Sequence, residues 1–383
     1  MKILIKIINL LFFIFFFSQQ TLLAQEKIKV GLLVPLTGEQ SEIGRSILKS
    51  VRMAINKIDN ANFEIIPKDT KNDPNITLRS AKELQEDGIK IIIGPIFNKN
   101  LIYLNEINEV TFLSLTNKNT NKYKNVISAG INASSQLKAI KKFIKKNNLK
   151  KTIFLIPDSD FKNEIDNSIK EVQIKYHKKY YYNTDPTILT KQIEKITKYK
   201  ERKLDLSREI KKLENSEISN KETKIAKLKK KDTLGKVNFD SVIISDFDES
   251  LKSITTSLLY TDVPPKDVSY ILFNQWFDTS LLKETSSHPM FFPSINKKNY
   301  EIFIKEYESS FGEAPSQLSI ISFDLVGLVY YLALQNNFKV DEKLFYKKTK
   351  FKGKIGVFEI DKNKITHVLN FYQVNEKGFK RIF

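Results

Sequence analysis

Ile28-Lys29-Val30-Gly31-Leu32-Leu33-Val34-Pro35-Leu36 is a nearly unbroken apolar run that ends in Thr37-Gly38. It reads as a β-strand. From Ile43 to Ile58 the apolar residues change to helical spacing, at Ile43, Ile47, Leu48, Val51, Ile55 and Ile58. A strand that runs into an amphipathic helix is the first half of a strand–helix–strand unit. Residues 63–67 supply the second strand, and the rhythm continues outward from there. A helix is expected at 78–87, a strand at 90–93 ending in Gly94-Pro95, a helix at 101–109 and a strand at 111–115. Strands separated by such helices argue for a parallel sheet with right-handed crossovers.

A second set follows, with helices at 136–147 and 162–174 and strands at 152–156 and 241–245. A helix at 249–259 and a strand at 270–273 continue it. Two helical patterns at 299–311 and 316–334 precede short strands at 356–360 and 368–373, joined by Asp361-Lys362-Asn363-Lys364. The chain has 383 residues, too many for one core and comfortable for two domains. The expected fold is α/β in two lobes, each a mainly parallel sheet flanked by helices, with a ligand cleft between them.

Residues 191–236 break the alternation. They hold 16 basic and 8 acidic residues, with apolar positions at helical spacing. Two charged helices in a hairpin are expected, either a solvated insertion or an arm that docks on a protein or acidic surface.

Composition excludes several classes. With 41% hydrophobic, 28% charged, 12 Gly and 11 Pro, the chain is neither collagenous nor disordered. Without cysteine it has no disulfide, thiol nucleophile, Cys-ligated metal or lipidated cysteine. The net charge of +19 comes mainly from lysine, since only six of 63 basic residues are arginine. Readers of nucleic acid favour the guanidinium fork, so no nucleic-acid partner is expected. Lys2 and Lys6 precede a run at 7–17 that is apolar except for Asn9, and then a stretch ending in Ala24. This is the order of a cleavable signal peptide, residues 1–24, and predicts a periplasmic protein with no stable membrane insertion after cleavage. The apolar run is far shorter than the ~20 residues of a membrane-spanning helix.

Catalytic motifs are missing. His177, His288 and His367 are far apart in sequence and form no zinc motif. There is no Gly-x-Ser-x-Gly elbow, Gly-x-Gly-x-x-Gly turn or phosphate loop. Asp69, Asp73, Asp158 and Asp160 fit caps and turns better than chemistry. The expectation is a non-enzyme without cofactor or metal. In open α/β sheets, ligands bind beyond the carboxyl ends of the strands. The residues there that carry a candidate ligand site are Thr37, Gly38, Asn98, Thr116, Asn117, Phe161, Asp246 and Trp276.

The stretch 27–38 with Gly44 and its helix resembles the opening of the leucine-binding family, the type I periplasmic binding proteins. Residues 87–95 resemble that family's third strand and turn. Residues 307–315, running into Ser322-Phe323-Asp324, resemble its late helix pair. The resemblance implies lobe one at 25–130 and 288–350, and lobe two at 131–287 and 351–383. It also implies hinge closure on a small polar solute, an amino acid or similar, for an ABC permease. Phe161 matches the family's aromatic wall. Asn98 stands where amino-acid receptors carry Ser, and Asn274-Gln275-Trp276 where they carry an acid for the ligand ammonium. Trp276, the charged insertion and residues 351–358 resemble a sub-branch, the penicillin-binding-protein activators. That resemblance implies the alternative of a regulator touching a cell-wall synthase.

Overall fold

A computed structural model describes residues 27–341 and 343–383 of the chain; the expected signal at 1–24 lies outside the described residues. The opening run forms β1 (Ile28–Val34), buried at every position except Lys29. It pairs in parallel with β2 (Phe63–Asp69), from Ile28 opposite Phe63 to Val34 opposite Asp69. On its other side lies β3 (Ile91–Ile93), followed by β4 (Thr111–Ser114) and β5 (Val126–Ser128), all parallel. Strands in a sheet covered on both faces read as continuous apolar runs, which is why this segment is so legible.

Helix α1 (Ser41–Ile58) buries Ile47, Val51 and Ala54, one stripe at i, i+4 and i+7. Its first turn lies so close to the end of β1 that a Cβ on Gly44 would collide with the Pro35 carbonyl. Helix α2 (Pro74–Glu86) starts at Asp73, whose carboxylate accepts the Asn75 and Ile76 N–H groups at 2.8 and 2.9 Å. The helix expected at 101–109 is instead two 3-10 turns, Asn98–Leu101 and Leu104–Glu106. Four asparagines between 98 and 108 account for it, because their amides compete with the helical backbone.

The chain crosses at 129–132 into α3 (Ala133–Lys146), and builds the second lobe from β6 (Thr152–Pro157), α4 (Lys162–Val172), β7 (Lys178–Tyr182) and α5 (Pro186–Ile196). The insertion is a hairpin of α6 (Tyr199–Glu214) and α7 (Lys221–Lys229). It begins at about Tyr199 rather than 191, because α5 buries Leu189 and Ile193 in the lobe and packs on α8 (Asp248–Tyr260). With β8 (Ser241–Ile244), β9 (Ser269–Leu272) and β10 (Met290–Ser294) the parallel part of this sheet is complete.

Helices α9 (Lys297–Phe311) and α10 (Ser319–Gln335) return to lobe one, where α10 packs along α1. The strands β11 (Thr349–Lys352), β12 (Val357–Asp361) and β13 (Lys364–Val368) form a separate antiparallel sheet. The last pair, β14 (Asn370–Asn375) and β15 (Gly378–Arg381), joins the second sheet antiparallel to β10. That sheet's order is β15-β14-β10-β9-β8-β6-β7.

Two expected boundaries therefore move. Residues 290–294, assigned to lobe one, hydrogen-bond inside the second sheet. Residues 351–368, assigned to lobe two, form the three-stranded sheet, whose Phe351 ring meets Tyr331 of α10. The turn Asp361–Lys364 joins β12 to β13, a strand the sequence reading passed over.

Candidate ligand-binding cleft

The cleft is built from the carboxyl ends of strands in both sheets, as open α/β architecture requires. After β3, the Pro95 carbonyl accepts the Ser114 hydroxyl at 2.7 Å and the Leu115 N–H at 3.1 Å. This ties the loop after β3 to the loop after β4. The Thr116 carbonyl accepts the Ser128 hydroxyl at 2.8 Å, and its Oγ1 accepts the Lys118 N–H at 3.2 Å. Asn98, Thr116, Asn117 and Lys118 are thereby fixed along the lobe-one wall of a cavity of about 330 Å³, near the lower end of the ~300–1,000 Å³ usual for ligand pockets.

Lobe two faces them with Gln136 from the first turn of α3, Phe247 after β8, and Asn274 and Trp276 after β9. Ile96, Phe97, Ile131 and Ile321 supply apolar surface. Asn274 is held by three hydrogen bonds. Its N–H donates to Gln136 Oε1 at 2.7 Å, and its Oδ1 accepts the Trp276 N–H at 3.0 Å and the Ser294 hydroxyl at 2.7 Å. The side-chain oxygen is thus saturated, and the amide NH₂ is what Asn274 presents to the cavity. The residue as a whole is 4% exposed, but its Nδ2 is not one of the buried unpartnered atoms and stays within reach of water in the cavity. Trp276 and Phe277 both hold positive φ, 49° and 61°, a costly backbone for aromatic residues and one that recurs at binding sites.

One hydrogen bond spans the lobes beside the cavity. The Asn119 N–H of lobe one donates to Glu164 Oε2 of α4 at 2.9 Å. Burial raises the Glu164 pKa against the pull of that N–H and of Lys118.

Four of the eight sequence-expected residues, Asn98, Thr116, Asn117 and Trp276, meet at this cavity. The other four lie outside its wall. Thr37 is exposed and donates its hydroxyl to Asp69 Oδ2 at 2.6 Å, with Gly38 beside it in the same turn. Burial works against ionisation of Asp69, but the Thr37 hydroxyl and the N–H groups of Lys71, Leu36 and Thr37 outweigh it and hold the carboxyl low. Phe161 packs against the core at the start of α4. Asp246 receives the Tyr182 hydroxyl at 2.6 Å and the Phe247 N–H at 2.9 Å. Its pKa is raised by burial, partly offset by those two bonds.

Sequence reasoning missed Gln136 as a site residue, since only the fold brings the start of α3 to the strand ends. Phe247, Lys118 and Asn274 stood in the right loops, and strand-end position was the signal that marked them. Among the described residues no cluster of three acidic or histidine side chains is placed to hold a metal. No described helix is long and apolar enough to cross a membrane.

Residues 27–192 match the family described as periplasmic binding protein. The chain has the two-lobed fold of that family. Among solved structures it resembles the C-domain of LpoA (YraM) from Haemophilus influenzae, described as a regulator of PBP1A. That match has 14% identity and a TM-score of 0.61, covering 93% of this chain and 100% of that one. It also resembles the leucine-binding protein LivK from Thermotoga maritima, with 13% identity, TM-score 0.56 and coverage of 93% and 98%. A third is the solute-binding protein of an ABC transporter from Rhodopseudomonas palustris, in complex with 3,4-dihydroxybenzoic acid. Its identity is 19% and TM-score 0.54, over 91% and 92% of the chains. No curated protein sequence matches the chain. At these identities the likeness carries the periplasmic-binding-protein fold and not a ligand.

Proposed function

We propose that the protein is an extracytoplasmic receptor that closes its two lobes on a small polar solute and delivers it to an ABC-type permease. The observation that carries this reading is one cavity lined from both lobes, by Asn98, Thr116 and Asn117 on one side and Gln136, Asn274 and Trp276 on the other. Residues from both lobes line the same space, so a solute bound there gains most of its contacts only when the lobes are closed. Differential contact of this kind shifts a hinge equilibrium toward the closed form. Solute at 100 times its Kd stabilises the folded state by about 2.7 kcal/mol. A thermal-shift screen of amino acids, amides, organic acids and small peptides is expected to give one saturable hit class. Silence across all classes would remove the reading.

A second reading has one observation in its favour. The α6/α7 hairpin stands out from lobe two, and α7 buries none of its residues. An exposed basic arm on a fold shared with the LpoA C-domain suits a regulator that touches a cell-wall synthase. Pull-downs of periplasmic synthases with and without the hairpin test it.

A further inference from the structure

We propose that the protein carries a second binding site, outside the cleft, for an acidic oligosaccharide. The site stands or falls without the receptor reading.

It lies at the other end of the first sheet. The cleft is lined beyond the carboxyl ends of the strands, whereas Glu109 and Val110 lead into β4 and Lys124 and Asn125 into β5. These residues line a cavity of about 620 Å³, closed on its far side by Lys343, Tyr346 and Asn363. The far side is fastened in place. The Lys362 and Asn363 N–H groups, in the turn between β12 and β13, donate to the Tyr346 and Phe345 carbonyls at 3.0 and 3.1 Å.

Two buried acceptors on this wall have no partner. The Asn125 NH₂ is spent on the Leu104 and Ile107 carbonyls at 2.9 and 2.7 Å, while its Oδ1 is buried and unbonded. Asn363 Oδ1 is in the same condition. Buried amide oxygens normally accept a hydrogen bond, so this wall calls for O–H or N–H donors. It also calls for negative charge. Among the described residues Lys122, Lys124 and Lys343 have no acidic partner, and the one acid on the wall, Glu109, is paired with Lys90 at 2.9 Å.

A ligand that meets both demands carries hydroxyls and carboxylates together. Phosphate chains supply acceptors alone and would leave the two amide oxygens unsatisfied. An apolar partner has nothing to bury, since Ile107 and Val110 are already packed in the core. A peptide strand has no free edge to extend, because β13 faces the outer edge of β5. The Tyr346 ring is 59% exposed and offers a flat apolar face with a polar tip, which suits the C–H face of a sugar ring. A groove of about 350 Å³ shares Lys124, Tyr346 and Asn363 and continues past Ser128 of β5 toward α4. The surface is therefore extended, and fits a chain of sugars better than a single one.

Titration calorimetry on the purified protein tests this with a hyaluronan hexasaccharide, in which N-acetylhexosamine and uronate alternate. The controls are neutral chitohexaose, hexaglutamate and linear polyphosphate. The acidic sugar is expected to bind, with each control weaker by about 10-fold or more, because charge-assisted and hydroxyl bonds are both needed. Chitohexaose binding as tightly would show that the lysines are unused. Hexaglutamate or polyphosphate binding as tightly would show a charge patch without sugar recognition. Either result, or no binding of the acidic sugar, overturns the proposal. The double variant Lys122→Gln/Lys124→Gln is expected to bind the acidic sugar about 10-fold more weakly, from the loss of two charged donors. Tyr346→Ala is expected to weaken it as well. Lys224→Gln/Lys227→Gln removes the same charge from the exposed face of α7 and is expected to leave the Kd unchanged. Equal losses in the two double variants, or no loss in groove variants that melt like the parent, overturn the assignment and leave the receptor reading untouched.

Discussion

The two carboxylate oxygens of Asp324, in α10, accept the backbone N–H groups of Lys354 and Ile355 at 2.7 and 2.8 Å. Asp324 is 2% exposed, and a Cβ on the preceding Gly353 would collide with its carboxyl group. One acid therefore pins the loop between β11 and β12 to the helix that packs on α1. The Asn296 N–H, where the chain leaves β10 for lobe one, bonds to the Ile355 carbonyl at 2.9 Å. This places the same loop against a crossing between the lobes. Gly353→Ala is expected to push the loop away and leave a buried carboxylate short of donors. A loss of about 1–3 kcal/mol follows from the unsatisfied group, read as a lower Tm.

Asp324 and His367 should give opposite pH slopes. Burial raises Asp324 to about 7, against the pull of the Ile355 and Lys354 N–H groups. The folded state then binds its proton more tightly than the unfolded chain, so stability falls as pH rises from about 4 to 7. His367 is buried on β13, with Nε2 placed 2.9 Å from the Ala129 carbonyl and Nδ1 without a partner. Burial lowers it to about 4. Its contribution is complete above the ordinary histidine pKa of about 6.5 and is lost as pH falls toward 4. Between these limits the two nearly cancel. Asp324→Asn is expected to expose a stability that rises with pH, and His367→Gln one that falls. Each slope approaches ~1.4 kcal/mol per pH unit. Urea unfolding at pH 4.5, 5.5 and 6.5, each variant against the parent protein, measures them.

Trp276 separates binding from folding. Its φ of 49° costs a side-chain-bearing residue and suits glycine. Trp276→Gly removes the ring from the cavity while easing the backbone. The ring packs only against Tyr300, at 6.2 Å between centroids, among the described aromatic pairs. A weaker ligand Kd with a Tm lowered by no more than a few degrees is the expected result. Ligand affinity equal to the parent's would show that Trp276 does not contact the solute.

The first sheet was legible because β1 and β3 are buried on both sides and its long helices carry regular stripes, as with Ile47, Val51 and Ala54. Where long-range pairing decides placement, the sequence was silent. Met290–Ser294 looks like any short apolar strand, and only its partners Tyr270 and Val374 assign it to the second sheet. β7 was passed over because four of its five residues are not buried, and Lys178 and Lys179 hide its strand character. In the cleft, strand-end position found Asn98, Thr116, Asn117 and Trp276. It also drew in Thr37 and Asp246, whose side chains are spent on Asp69 and Tyr182. A local sequence shows which groups are polar, but not which already have partners.

The hairpin should be separable from the lobe that carries it, provided its root is kept. Arg202, 7% exposed, donates from its guanidinium to the Thr261 and Asp262 carbonyls that end α8. The Leu234 N–H bonds to the Arg202 carbonyl at 3.1 Å, and the Thr233 hydroxyl to Asp262 Oδ2 at 2.5 Å. Both strands of the hairpin's base are therefore tied to α8. Beyond it, Leu206 and Leu213 are buried within the hairpin, while Lys211, Lys212, Lys224 and Lys227 stand exposed. Deleting residues 206–229 and joining the ends by a short Gly-Ser linker is expected to move the Tm by only a few degrees and to leave solute binding intact. Arg202→Ala, by contrast, strands carbonyls and opens the root, at a cost of about 1–3 kcal/mol. Thermal melts and calorimetry on the two variants distinguish these outcomes. If the deletion also leaves capture of a cell-wall synthase unchanged, the hairpin is a solvated insertion and the regulator reading loses its only support.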